Sequence, residues 1–374
     1  MSVESPVTRA AVLTSLTQPL ELRDDIEVEA PRAGEVALHM AASGVCHSDL
    51  SMRDGILPIP LPAVLGHEGA GIVTEIGPGV TGVAVGDHVV VSWVPQCGRC
   101  YYCGRGQPEL CQEADAVLIS GGLLDGTPRL RSGGAPLFQM SGCGTFSTDT
   151  VVPATGVVGV PCDIDLSLAA LLACGVLTGV GAVLNTARVV EGDTVAVVGC
   201  GGVGLNVVQG ARIAGAATII AVDTNPAKLE LARALGATHV VDASGADPVS
   251  AVMGLSGERG ADVAFEVIGL ARTIDQVVAM TRRGGQSVLV GIPSMDVMVN
   301  LPAMVGLVLA EKTIKGCWYG SADVRRDIPR LVELHRSGEL ELETLVSRRI
   351  GLDDVNDAFR SMTAGEVARS VIVY

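Results

Sequence analysis

The most constraining feature of the chain is Gly199-Cys200-Gly201-Gly202-Val203-Gly204, which follows an apolar run over 194–198 directly and opens a helical pattern over 203–214. This G-x-G-x-x-G turn between strand and helix predicts a dinucleotide-binding unit. Gly199 permits the sharp turn, Gly201 and Gly202 let backbone reach a pyrophosphate, and Gly204 allows helix and strand to pack closely, with Val203 starting the helix that faces the phosphates. Asp223 ends the next predicted strand, where its carboxylate can accept hydrogen bonds from adenosine ribose hydroxyls and would repel a 2′-phosphate. NAD is therefore expected over NADP. Lys228, one turn into the following helix, can reach the same ribose or simply face solvent.

The segments around that turn alternate between helix and strand. Beyond a helical stretch over 168–184, strands are expected at 194–198, 218–222, 240–241, 263–267 and 287–290, with a helix over 226–235. Such alternation implies a doubly wound parallel sheet with helices on both faces. From about residue 12 to 160 the pattern differs. Short β-branched runs at 35–39, 71–76, 87–91 and 150–152 are separated by turn residues, which predicts a β-rich domain. After Lys312 the pattern is mixed, with a helix over 327–337 and a last strand over 370–374.

Hydrophobic residues make up 48% of the 374 and charged residues 18%, enough for sizeable cores and too apolar for a disordered chain. The formal charge is −15 with no basic cluster, which excludes nucleic acid and anionic membrane as expected partners. No apolar run reaches the length of a membrane span, and the N-terminus does not read as a signal peptide. Six of the ten cysteines sit at metal-like spacings or beside metal-like partners, so a reducing cytoplasm is the expected location.

Cys97, Cys100, Cys103 and Cys111 form C-x2-C-x2-C-x7-C in a glycine-rich segment. Four thiolates can close a tetrahedral zinc shell, leaving no position for substrate, so the expected metal is structural. The same spacing can hold an iron–sulfur cluster, a less suitable reading for an acidic β-lobe. A second set, Cys46-His47-Ser48-Asp49, Gly66-His67-Glu68 and Cys174-Gly175, is unspecific taken piece by piece and informative together.

In their order and spacing these segments resemble the medium-chain, zinc-dependent alcohol dehydrogenase family, from about residue 10 to the C-terminus. The resemblance implies a GroES-like, β-rich catalytic domain over 1–175 and 319–374, carrying the zinc lobe at about 95–113, and a Rossmann NAD-binding domain over 176–318. It implies a catalytic zinc held by Cys46, His67 and Cys174 with one position open, and a zinc-assisted hydride transfer between an alcohol and NAD. Ser48 would bind the substrate oxygen and begin a proton relay, Asp49 would orient His67, and Glu68 would lie behind the metal. His47 and Arg369 match pyrophosphate-binding positions, and Ile292 a position beside the cofactor. The stretch from Asp125 to Ser147 is similar to the long loop of class I and class III (glutathione-dependent formaldehyde) members, which implies a homodimer, with Met304 to Leu309 near its contact. The C-terminal stretch resembles actinobacterial members, some acting on mycothiol–formaldehyde adducts.

One position departs from many relatives: Ser51 stands where a histidine passes the relay proton to solvent. Serine does not titrate near neutral pH, so the relay must end on water or on another group such as His47. By position the substrate pocket would include Ser48, Leu57, Trp93, Met140 and Ile292, an apolar channel narrowed by the Trp93 ring. A primary or aromatic alcohol, or its aldehyde, is the expected substrate. Three alternatives remain open at this point: an S-(hydroxymethyl)thiol dehydrogenase, a dismutase-like enzyme that retains its NAD, and, most remote, a non-catalytic dinucleotide-binding relative.

Overall fold

The computed structural model describes residues 7–365 and 369–374. The chain divides into two compact units: Met1–Cys174 with Asp323–Val332 and Val346–Tyr374, and Gly175–Ala322 with Glu333–Leu345.

The first unit is built from two sheets. Strands Thr8–Leu13, Glu21–Val28, Leu130–Ser132, Ala135–Gln139 and Ala63–Val64 close a small barrel. The second sheet is centred on the long strand Glu35–Val45, which pairs antiparallel with Glu68–Ile76, Asp149–Pro153 and Ser370–Val373. Period-2 burial drives the pairing: along Glu35–Val45 the side chains of Val36, Leu38 and Met40 are fully buried, while His39 is exposed. Val12 and Leu137 of the barrel pack with Leu50, Leu65, Met140 and Phe146 from the segments around it in one core, and Val36, Leu38, Met40 and Val152 belong to another. The described strands therefore extend the predicted runs, with Glu68–Ile76 beginning three residues earlier than expected and Glu35–Val45 ending six later.

The second unit holds a six-stranded, all-parallel sheet in the order His239–Asp242, Thr218–Asp223, Thr194–Val198, Ala261–Glu266, Thr281–Leu289, Thr313–Gly316. The strand order reverses between Thr194–Val198 and Ala261–Glu266, and ligands of doubly wound sheets bind at the carboxyl ends of strands at such a reversal. All five residues of Thr194–Val198 are buried, as expected of a strand covered on both faces. Among the described residues, no single helix is long and apolar enough to cross a membrane.

The sequence pattern predicts one helix over 168–184, and here the structure differs. Helix Leu166–Ala169 passes into a 3-10 turn Ala170–Ala173, breaks at Cys174 (φ −144°, ψ −72°) and restarts as Gly175–Gly181. A uniformly apolar run carries no period that marks such a break. Its small residues answer to packing: a Cβ on Gly181 would lie 2.5 Å from the Gly320 carbonyl oxygen.

Candidate active site and cofactor site

The site in the first unit starts at Cys46, which is extended (φ −120°, ψ 158°) and precedes helix His47–Arg53. Asp49, fully buried in the first turn, organises the surroundings through both carboxylate oxygens. Oδ2 accepts from the Cys46 N–H at 2.8 Å, and Oδ1 accepts from the Gly66 N–H and from His67 Nδ1, each at 3.1 Å. The histidine tautomer is thereby fixed with Nε2 turned to the other side, where this buried atom has no hydrogen-bond partner. Gly66 occupies a left-handed backbone (φ +91°), and a Cβ there would lie 2.5 Å from the Phe146 nitrogen, so glycine is required immediately before the histidine.

The ligand-type atoms of Cys46, His67, Glu68 and Cys174 all lie within 4.8 Å of one another, and all four residues are buried. Hydrogen bonding from Cys174 holds the Cys46 thiol well below its usual range, while the same contact and burial hold Cys174 well above. Burial opposes a cationic His67, yet Asp49 and Cys46 outweigh it and raise the imidazole well above its usual value. Burial lifts Glu68 to about 7 against the pull of Arg369. Two sulfurs, an orphaned imidazole nitrogen and nearby carboxylates in so small a volume are a donor set suited to a borderline-soft dication, and they fit zinc.

Arg369, 5% exposed, donates from Nη1 to Glu68 Oε2 at 3.0 Å, and the same nitrogen forms an ion pair with Oε1 at 2.9 Å. Sequence reasoning gave these residues separate roles and missed the pair, which bridges 301 positions and leaves no local signal. A Cβ on Gly44 would meet Glu68 Oε2, so that glycine is also part of the arrangement.

Of the other expected residues, Ser48 lies beside the cluster, its Oγ 3.9 Å from Cys46 Sγ. Trp93 stands edge-on to His67 with ring centroids 6.4 Å apart. His47 is exposed and Ser51 half-buried on the same helix. Met140 is packed in the barrel core with Leu50, Leu65 and Phe146, with Leu57 half-buried against that core. Ile292 belongs to the second unit and is half exposed.

The cysteine lobe is separate. Cys97 and Cys103 sulfurs are 4.0 Å apart, as are those of Cys100 and Cys111, close to the roughly 3.8 Å expected when four sulfurs surround one zinc at about 2.3 Å. Backbone N–H groups of Arg99 and Cys100 point at Cys97 Sγ, and that of Cys97 at Cys111 Sγ, at 3.4 to 3.5 Å. Hydrogen bonds from the Cys103 and Gln112 backbones lower Cys100 to about 6, whereas burial raises Cys103 to about 12. Four such thiols ionise together only around a cation, and this set also fits zinc.

In the second unit Gly199 is left-handed (φ +99°), and a Cβ on Gly204 would overlap the Gly199 carbonyl oxygen. A Cβ on Gly201 would meet open space, so the turn leaves room over its N–H groups at the start of helix Gly202–Ile213. Val203 lies in the first turn of that helix. The Asp223 carboxylate accepts from the Cys200 N–H at 2.8 Å and the Asn225 N–H at 2.9 Å, which holds it beside the glycine turn, and Lys228 follows on helix Pro226–Ala234.

The description "Alcohol dehydrogenase GroES-like domain" matches residues 32–162, and "Zinc-binding dehydrogenase" matches residues 202–336. The chain belongs to the zinc-dependent alcohol dehydrogenase family. It is 38% identical to an S-(hydroxymethyl)glutathione dehydrogenase of Paracoccus denitrificans over 98% of this chain and 100% of that one. It is 40% identical to an NDMA-dependent alcohol dehydrogenase of Amycolatopsis methanolica, over 98% of this chain and 99% of the relative. Among solved structures, benzyl alcohol dehydrogenase of Acinetobacter calcoaceticus superposes with a TM-score of 0.92 at 35% identity, covering 98% of this chain and 99% of that one. The alcohol dehydrogenase is an oxidoreductase with zinc and NAD as cofactors, a GroES-like domain and a Rossmann-type domain.

Proposed function

We propose that this dehydrogenase interconverts primary or aromatic alcohols and their aldehydes, with Cys46, His67 and Cys174 holding the catalytic zinc and the four lobe cysteines a structural one. Bound among the first three, zinc supplies Lewis acidity toward the substrate oxygen. The protein groups do the rest. Asp49 fixes the His67 tautomer and the Cys46 backbone together, Ser48 receives the alcohol proton, and Arg369 keeps the buried Glu68 paired behind the cluster. The glycine turn 199–204 and Asp223 bind NAD, with Lys228, Ile292, His47 and Arg369 as further cofactor contacts. Leu57, Trp93 and Met140 complete an apolar surrounding for the substrate.

The observation that carries the plain-alcohol reading is the charge of residues 113–129. Their one arginine, Arg129, has a fully buried side chain and is committed to Glu35, at 2.5 Å, and Asp125, at 2.8 Å. Asp115 and Asp125 are exposed, so this loop offers carboxylates where a thiol peptide's own carboxylates would need cations. A second reading, oxidation of an S-(hydroxymethyl)thiol adduct, is favoured by the relatives that carry that name. We also assign a homodimer, on the strength of the exposed apolar residues Met295, Met298, Met304, Val305 and Val308, and a reducing cytoplasmic setting, in which the six cysteines assigned to zinc would stay available as thiolates.

Initial rates of NADH formation separate the two activities. Aliphatic and aromatic alcohols should turn over with NAD alone. Turnover only with formaldehyde plus a low-molecular-weight thiol such as glutathione would replace the first reading by the second, and turnover without added NAD would point to a retained cofactor.

A further inference from the structure

Two residues outside both cysteine clusters, Thr145 and Tyr374, hold the stretch of chain that carries His67. Thr145 is fully buried and follows the left-handed Gly144 (φ +60°). Its N–H donates to the Gly66 carbonyl at 3.0 Å, and the next N–H, of Phe146, donates to the Leu65 carbonyl at 2.9 Å, so residues 145–146 are tied to the two residues before His67. The Thr145 hydroxyl is paired with Ser43 Oγ at 2.7 Å. No slack remains around the side chain: a Cβ on Gly66 would lie 2.6 Å from Thr145 Oγ1, and one on Gly69 would lie 2.6 Å from Thr145 Cγ2. In an interior packed this closely, a shift of Thr145 is passed to the backbone on either side of His67 and Glu68.

Tyr374 fixes Thr145 from the other end. It follows strand Ser370–Val373, its N–H donates to the Ala41 carbonyl at 3.1 Å, and its ring packs against both cores of the first unit. From that anchored ring the hydroxyl donates to the Thr145 carbonyl at 2.5 Å. Burial, with the Asp49 charge adding to it, pushes the phenol well above its usual range, so it stays a donor throughout the neutral range. The ring alone would fill the same space as a phenylalanine; what the hydroxyl adds is one hydrogen bond, placed on the residue whose own N–H holds Gly66. From Gly66 the path to the imidazole is short: the Gly66 N–H and His67 Nδ1 share Asp49 Oδ1, each at 3.1 Å.

We propose that Tyr374 is a positioning residue for His67, acting through Thr145 and the backbone of Gly66. The proposal rests on Cys46, His67 and Cys174 holding zinc. Tyr374→Phe removes the hydroxyl and keeps the ring, and Ser43→Ala releases Thr145 on its side-chain face. Zinc affinity is read by chelator competition on the zinc-loaded protein, with Cys46→Ser supplying the curve of the lobe zinc alone. Tyr374→Phe should bind the zinc at His67 about fivefold more weakly and hold the lobe zinc as the parent does. Ser43→Ala should weaken the same zinc by a smaller factor. A purely structural loss in the first unit would loosen both zincs alike, since both lie in that unit. Parent-like affinity in Tyr374→Phe, or equal weakening of the two zincs, would therefore overturn the proposal. Two zincs per chain retained in Cys46→Ser would instead overturn the metal reading beneath it. Should Tyr374→Phe not fold, the Ser43→Ala comparison decides alone, with parent-like affinity again the contrary result.

Discussion

The lobe draws all four of its sulfurs from residues 97–111, while the second cluster takes Cys46 from a helix entrance, His67 from the residue before a strand and Cys174 from a break between helices. The lobe thiols are held by backbone N–H groups of their own turns. In the second cluster buried side chains do the holding: Asp49 behind His67, and Arg369 behind Glu68. Four identical ligands on one short segment make a closed shell that fastens the chain locally. The three ligands proposed for the second cluster, gathered from across a unit, would require the fold to exist first and would leave a coordination position for chemistry.

If that contrast is right, damage to the two sites should separate activity from stability. Cys46→Ser should lower kcat/KM by about 10³-fold or more and remove one zinc per chain, with the thermal unfolding midpoint little changed. Cys103→Ser should do the reverse, removing the other zinc and destabilising the first unit by about 3 kcal/mol or more in thermal or denaturant unfolding. Equal loss of activity and stability in both variants would erase the distinction.

Smaller effects test the supporting groups. Asp49→Asn should weaken zinc affinity of the second cluster by roughly 10–100-fold, read by competition with a chelator, and leave the lobe zinc unaffected. Asp125 offers a pH-dependent case outside both clusters. Burial raises its pKa, but Arg129 and Thr127 more than offset this and hold the carboxyl well below its usual range. A depressed carboxyl contributes stability above its unfolded pKa of about 3.9 and loses it as pH falls through the folded value. Asp125 is partly exposed, so Asp125→Asn should cost about 1 kcal/mol near neutral pH, a difference that shrinks on acidification below about pH 4. The smallest expected change is in pH dependence: Ser51→His should add a titration near neutral pH to the kcat/KM profile of alcohol oxidation. A profile identical to the parent's would remove the idea that the group at this position sets the pH dependence of the relay.

The contrast also explains what could be read from the sequence. C-x2-C-x2-C-x7-C is legible because its ligands are neighbours along the chain, and the glycine turn is legible because strand, turn and helix are consecutive. The parallel sheet follows from the same alternation. Cys46, His67 and Cys174 became readable as a group only through family resemblance, since nothing in their spacing brings them together. The Glu68–Arg369 and Glu35–Arg129 pairs join residues 301 and 94 positions apart, which leaves no local signal. The break at Cys174 was invisible for a different reason, because a run that is apolar throughout gives no period to interrupt.

Stepwise zinc removal by a chelator, with zinc content, activity and thermal unfolding followed on the same samples, tests the division most directly. The structure predicts that the first equivalent leaves with all activity while the folded protein persists, and that the second leaves only as the lobe unfolds. Activity surviving loss of the first equivalent, or both equivalents leaving together with the fold, would contradict the assignment of one open and one closed metal site.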